Sequence, residues 1–321
     1  MLSWWVLGLA LAAPEPYRGP IPIIAYHEIG GEAPWPGGPR YDAGGLNISV
    51  ATFRAQIELM WTKGYWPVNL RDVARKQPGV PSGKRPVVLT FDDGRATQFR
   101  YLPHDRLDPN CAVGVLADFH HRHPSWPMRG TFFLIAGSDK NGVPFDQEGS
   151  ERRKVRQLLR WGFEIGNHTL THPSFHKLNA RQIVNEVAGC DAYLKHLVPG
   201  IRVDTIAMPY GHLPDDPKLW PLLRHSARTR EGYRNIGVAL FDVGVCPPPY
   251  SAEFDPFRIP RLAPRPGALE ALLRGAESKG ESLMSPAEGT SQPRPHRVQA
   301  RVDRSRMDPR AARSAGSAPF R

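Results

Sequence analysis

Residues 86–94 read PVVLTFDDG, an apolar and β-branched run from Pro86 to Phe91 that ends on two carboxylates and a glycine. A continuous apolar run of this length, closed by a turn signal, reads as a strand covered on both faces, the kind that parallel sheets use. Neighbouring residues of an extended chain point to opposite sides. Asp92 and Asp93 can therefore serve two purposes, one on a metal and one as a free base. Gly94 lets the chain turn sharply behind them. The same three residues also fit a plain polar strand-to-loop turn, and Asp-Asp-Gly alone does not decide between the two.

Outward from this run the chain alternates short apolar runs with helical periods. Ile21–Tyr26, Tyr65–Val68, Gly130–Ala136, Phe163–Gly166, Thr205–Gly211 and Ile236–Val243 read as strands. Val50–Lys63, a segment starting at Leu70, Arg153–Trp161, Asn179–Leu197 and Ala268–Arg274 read as helices, the first capped by Ser49 or Thr52. Repeated β-α units imply an α/β fold with a parallel sheet, either open or closed into a barrel. In a barrel, chemistry gathers where the strands end. Here those ends carry His27, Asp92, Asp93, His168, His172 and Tyr210.

His168-Thr-Leu-Thr-His172 is the more specific signal. A His-x₃-His pair shares one side of a helix or converges from a tight loop. With one carboxylate it makes three protein ligands and leaves a position open, the pattern of a catalytic rather than a structural zinc site. A lone His pair more often packs or faces solvent, but two strand ends supplying Asp and His-x₃-His together favour the site. Phe119-His-His-Arg-His-Pro124 lies in a polar, proline-rich stretch without a carboxylate pattern and reads as a solvated loop. No P-loop, G-x-G-x-x-G or G-x-S-x-G occurs, which removes the usual signals of nucleotide binding and serine hydrolysis.

The chain has 321 residues, 40% hydrophobic and 23% charged, enough to bury a real core. Its formal charge of +11 raises nucleic acid, an anionic membrane or an anionic polymer as partners. Part of that charge belongs to residues 276–321, which are basic, nearly free of large apolar side chains and without a period. They read as a disordered tail, or alternatively as a basic arm. The remainder shows no cluster of Lys and Arg with interleaved aromatics, so no nucleic-acid partner is expected. Residues 1–16 hold an apolar run too short to span a bilayer, suited to a signal peptide but lacking a basic n-region. A packed N-terminal strand or helix is the alternative. The expected destination is thus the periplasm, the cell envelope or the exterior, with the cytoplasm as the alternative. Cys111, Cys190 and Cys246 form no C-x-x-C and read as buried, inert thiols.

Taken in order, Thr90-Phe-Asp-Asp-Gly94, His168-Thr-x-x-His172 and Met208-Pro-Tyr-Gly211 resemble the polysaccharide deacetylase family, also called the NodB-homology domain or carbohydrate esterase family four. Gly130-Thr-Phe-Phe-Leu134 and Gly162-Phe-Glu-Ile-Gly-Asn167 fit the same setting, and the resemblance runs from about Ile21 to Leu262. It implies a single distorted (β/α) barrel over residues 17–275 and one divalent metal, usually zinc. The implied activity is a hydrolase acting on linear amides, with an acetylated polysaccharide as substrate. Residue by residue, Asp93, His168 and His172 would hold the metal, and Asp92 would be the general base. The backbone N–H of Tyr210, positioned by Pro209, would stabilise the oxyanion. Two departures follow. The late Leu-x-x-His motif that commonly supplies the acid is absent. Instead Ile24-Ala-Tyr-His27-Glu-Ile29 resembles the N-terminal motif of the circularly permuted poly-N-acetylglucosamine deacetylases, which assigns the acid to His27. A strand-end histidine packed on Tyr26 or Trp35 is the plain alternative. Ala207 stands where many members carry an Arg that orients the base, and Arg261 is the candidate replacement. Removal of N-acetyl groups from an N-acetylglucosamine polymer leads. An O-acetyl (xylan-type) esterase, a carbohydrate-binding pseudoenzyme and a tail-driven polymer binder stand as alternatives.

Overall fold

The computed structural model of the chain describes residues 17–31, 44–136, 143–226 and 232–275. The apolar segment 1–16, Trp35 and the basic residues 276–321 lie outside the described residues. Seven strands form one parallel sheet: β1 (Ile23–Tyr26), β2 (Tyr65–Val68), β3 (Arg85–Phe91), β4 (Thr131–Leu134), β5 (Glu164–Asn167), β6 (Thr205–Ala207) and β7 (Gly237–Ala239). The order is β1-β3-β4-β5-β6-β7, with β2 paired to the first half of β3 (Tyr65 opposite Arg85, Val68 opposite Val88) and β4 to its end (Phe91 opposite Phe132). β4, β6 and β7 stop short of their apolar runs, whose last residues leave the ladder for the rim loops.

Residues 256–262 close the sheet on itself. Their backbone bonds β7 on one side (Val238 N–H to Pro256 O and Leu240 N–H to Ile259 O, both 2.8 Å). On the other side they bond β1 (Ala25 N–H to Leu262 O and Leu262 N–H to Ile23 O, both 2.8 Å). The ring is the distorted (β/α) barrel that the resemblance implied, and its last segment lies beside its first strand. The helices are α1 (Val50–Thr62), α2 (Leu70–Ala74), α3 (Ala112–Arg122), α4 (Glu151–Trp161), α5 (Ala180–Leu197), α6 (Pro221–Arg224) and α7 (Ala268–Gly275). Local chemistry sets their ends. Ser49 Oγ accepts the Thr52 N–H at 2.9 Å, Asn179 and Gln182 form a reciprocal capping box, and Gly162 ends α4 at φ +101°.

Alternation along β3 sorts the core. Val87, Leu89 and Phe91 pack with Phe132, Leu134, Ile165 and helix side chains, while Val88 packs with Ile23, Phe133, Ala207, Ala239 and Ile259. Thr90 and Asp92 share the parity of Val88, so the strand's own period aims Asp92 at the barrel interior. Space there comes from small residues: a Cβ on Gly166 would meet the Phe133 ring at 2.4 Å. All three cysteines are buried and unpaired.

One expectation is corrected. Phe119–Arg122 is not a solvated loop but the last turn of α3, with Val113, Leu116 and Phe119 buried at helical spacing. His120 Nδ1 bonds Trp126 O at 2.8 Å, and the His123 ring stacks on Phe119 and Trp61. The stretch Tyr101–Arg129 holds this helix and a small hairpin pairing Tyr101 with Leu107.

Lys154 on α4 is fully buried, its ammonium donating to Phe145 O at 3.2 Å above the Phe99 and Phe145 rings. Burial pulls its pKa down from 10.5 to about 8. The unfolded chain therefore holds more protons between those values, and stability rises with pH through that window. A shift of this size disfavours the native ammonium by about 3 kcal/mol, offset by about 1 kcal/mol for the carbonyl bond. Lys154→Met is expected to stabilise the fold by ~1–2 kcal/mol at pH 7, with the gain shrinking by pH 9.5. Denaturant melts at the two pH values check this, and a less stable Met variant at pH 7 contradicts it.

Candidate metal centre and active site

Because the strands are parallel, their C-terminal ends share one rim, and β1, β3, β5 and β6 deliver their following residues there. Asp92 continues the ladder, its N–H bonded to Tyr26 O at 2.9 Å. Asp93 then adopts φ +76°, a left-handed conformation that Asp tolerates better than most residues, and this takes the second carboxylate out of the pleat. Its Oδ1 lies 3.4 Å from His168 Nε2 and 3.5 Å from His172 Nε2. The histidines converge from a loop, not a helix: Thr169 (φ +70°) and His172 (φ +57°) fold the chain back, and Thr169 Oγ1 accepts the His172 N–H at 3.1 Å.

These three side chains fit a divalent cation. One ligand atom from each lies within 4.8 Å of the others. His168 Nδ1 lies 2.9 Å from Ala207 O. A carbonyl only accepts, so Nδ1 carries the proton and Nε2 is left as the ligand atom, the usual arrangement behind a metal-bound imidazole. Burial and the neighbouring His168 bring the His172 pKa down to about 4, so its ring stays neutral, as a ligand must be. For His168, burial works against the imidazolium, but Asp92 and Asp93 outweigh it and raise the pKa. For Asp93, burial works against ionisation and the histidines, His168 foremost, overcome it, holding the carboxyl well below the usual range. A proton on His168 therefore occupies the position that a cation would take.

Asp92 and Asp93 take opposite surroundings. Arg261, from the closing segment, is fully buried and grips Asp92 with both arms, Nη1 to Oδ1 at 2.6 Å and Nη2 to Oδ2 at 2.7 Å. Its Nε donates to Leu240 O at 2.6 Å and Nη1 also reaches Thr90 Oγ1 at 3.0 Å. Burial alone would raise the Asp92 carboxyl, but Arg261, then His168 and His27, hold it ionised and below its ordinary value. His27 Nε2 lies 3.8 Å from Asp92 Oδ2, and its ring packs edge-on against Phe241 at 5.2 Å. Among the described residues its buried Nδ1 has no hydrogen-bond partner. Gln98 ties the two strand ends together by donating to His27 O and Asp92 O at 2.8 and 2.5 Å.

Tyr210 sits at φ +59° in the turn Pro209–Gly211, with its ring 59% exposed and 4.9 Å from that of His172. The flanking N–H groups of Gly211 and His212 bond back to Met208 O and Pro209 O. The Tyr210 N–H has no backbone partner among the described residues. Thus Asp92, Asp93, His168, His172, His27, Arg261 and Tyr210, all named from the sequence, meet on one rim. Sequence reasoning missed Thr90, Gln98 and the Ala207 carbonyl. Only Thr90 carried a signal, its alternation with Asp92. It also missed Arg95, whose Nε lies 3.7 Å from Asp93 Oδ2 and 3.8 Å from Glu28 Oε1.

Comparison with known proteins bears on this site. Residues 79–224 match the family described as polysaccharide deacetylase. Over 147 residues the chain is 31% identical to the chitooligosaccharide deacetylase of Sinorhizobium fredii, covering 46% of this chain and 55% of that one. The chain spans about half the length of the curated relatives it matches. Among solved structures, the Streptococcus pyogenes deacetylase PplD in complex with acetate aligns at TM-score 0.60 and 19% identity, over 80% of this chain and 98% of that one. IcaB from Ammonifex degensii aligns at TM-score 0.54 and 18% identity, over 81% and 98%. At these identities the structures share the fold. His27 and Arg261 both lie outside residues 79–224: His27 ends β1, which pairs with β3, and Arg261 arrives on the closing segment.

Proposed function

With a polysaccharide deacetylase domain at residues 79–224 and the fold of solved deacetylases over most of its length, we propose that this chain is a metal-dependent amidase. It removes N-acetyl groups from an N-acetylglucosamine-containing polysaccharide, with zinc as the metal. The observation that carries this is the division of one rim between a three-ligand set and a separate, guanidinium-held carboxylate. A bound divalent cation at Asp93, His168 and His172 supplies Lewis acidity and a water of lowered pKa. Asp92, kept ionised by Arg261, takes the proton from the attacking water. The Tyr210 N–H donates to the acetyl oxygen as negative charge grows there. His27 gives a proton to the departing nitrogen. Residues 1–16 direct export to the envelope where such polymers lie; no described helix is long and apolar enough to cross a membrane.

Acetate release from chitin oligosaccharides, poly-N-acetylglucosamine, peptidoglycan and acetylated xylan tests the reading. Release from the N-acetylated polymers is expected, abolished by a chelator and restored by zinc. Acetate from xylan alone would make the protein an esterase, and none from any polymer would leave a binding protein. His27→Ala separates the acid from the rest of the machinery. An amide needs its leaving group protonated and an activated aryl ester does not, so the variant is expected to lose ~10²–10⁴-fold on the amide and far less on the ester. Equal losses would remove the acid role.

A further inference from the structure

The loops that deliver His172 and Tyr210 continue into a second cluster that the deacetylation chemistry does not use. Four residues beyond His172 stands His176, and two beyond Tyr210 stands His212. Their rings lie 3.9 Å apart at 37°, and the Tyr210 ring lies 5.8 Å from that of His212. With the 4.9 Å contact between His172 and Tyr210, four rings run in an unbroken line outward from the metal ligands. The line is held in place. His176 Nδ1 bonds Asp215 Oδ1 at 2.6 Å, His212 Nδ1 bonds Ser174 Oγ at 3.0 Å, and the Asp215 N–H bonds His176 O at 3.1 Å, locking one loop to the other. Both imidazoles thus have Nδ1 committed, and neither Nε2 has a partner among the described residues. His176 and Asp215 are exposed by 46% and 61%.

Pre-set, water-facing rings fringed by a carboxylate and free ring nitrogens match the chemistry of a pyranose. Such a sugar offers an apolar C–H face to stack and an equatorial rim of hydroxyl and amide groups to hydrogen-bond. Resting on the function proposed above, we infer that Tyr210, His212 and His176 form a subsite for the hexosamine unit next to the one being deacetylated. Asp215 and the two Nε2 atoms meet that unit's polar rim. The protein therefore reads at least two sugar units, and only one of them reacts.

The test titrates chitopentaose into the full, zinc-loaded chain and into His176→Ala/His212→Ala. Acetate release from the pentaose and hydrolysis of a sugar-free aryl acetate are followed in parallel. The double variant is expected to bind the pentaose about tenfold more weakly, equivalent to about 1.4 kcal/mol, with aryl acetate hydrolysis unchanged. His212→Phe, which keeps the ring but not its nitrogens, is expected to recover part of the affinity. An unchanged dissociation constant, no binding by the parent chain, or an equal fall in aryl acetate hydrolysis would each overturn the subsite. Weakened binding without any acetate release from the parent chain would keep the subsite and discard the amidase. Normal release with unaltered binding would do the reverse.

Discussion

Asp92→Asn is expected to cut turnover by ~10³-fold or more while zinc still binds. The three side chains placed to hold a metal are Asp93, His168 and His172, and Asp92 faces Arg261 instead. An asparagine keeps the shape and can still face the guanidinium, but it cannot accept the proton of the attacking water. Asp93→Ala is the counterpart: it removes one of three ligands, so zinc affinity falls first and turnover with it. Zinc content after dialysis, measured beside acetate release, separates the two. Equal zinc loss in both variants would mean that the adjacent carboxylates share one task, and the assignment of a base to Asp92 would go.

Arg261→Met carries the second large effect, and it appears in stability as well as rate. Asp92 and Arg261 are both buried, and the pair is bidentate. Two charges taken out of water depend on each other, so removing one partner costs about 3–5 kcal/mol, mostly the penalty of the stranded charge. The expected result is a variant less stable by that amount, with turnover falling because the unpaired carboxylate no longer stays ionised and aimed. Asp92→Asn/Arg261→Met is expected to be less destabilised than the two single losses added together, since neither charge is then stranded. Additive losses would mean that the contact carries no coupling. Arg261→Lys keeps the charge but not the planar fork, and should recover stability more than rate.

The strands were legible because a sheet buried on both faces writes itself as continuous apolar runs, and PVVLTF is such a run. The convergence of Asp93, His168 and His172 was legible because three motifs in one order constrain chemistry more than any one of them alone. Arg261 could be named only by asking what stood in for an arginine at Ala207. In the structure the guanidinium arrives instead from the closing segment beside β7, with its Nε on Leu240 O. The histidines near residue 120 misled because composition outweighed period; they decorate the last turn of α3, whose buried face already repeats at helical spacing. His176, His212 and Asp215 look like ordinary loop residues. Their meeting depends on backbone bonds between two distant loops, which no local pattern encodes.

Ring closure also fixes when the proposed base can be prepared. The candidate ligand set is complete in the chain once His172 has been made, but the guanidinium that grips Asp92 comes 89 residues later, carried by the last segment to pair with β1. A nascent or truncated chain that stops short of Arg261 has the candidate metal ligands and no guanidinium for Asp92. On the proposed mechanism, Asp92 is not prepared as a base until the closing segment has joined the barrel.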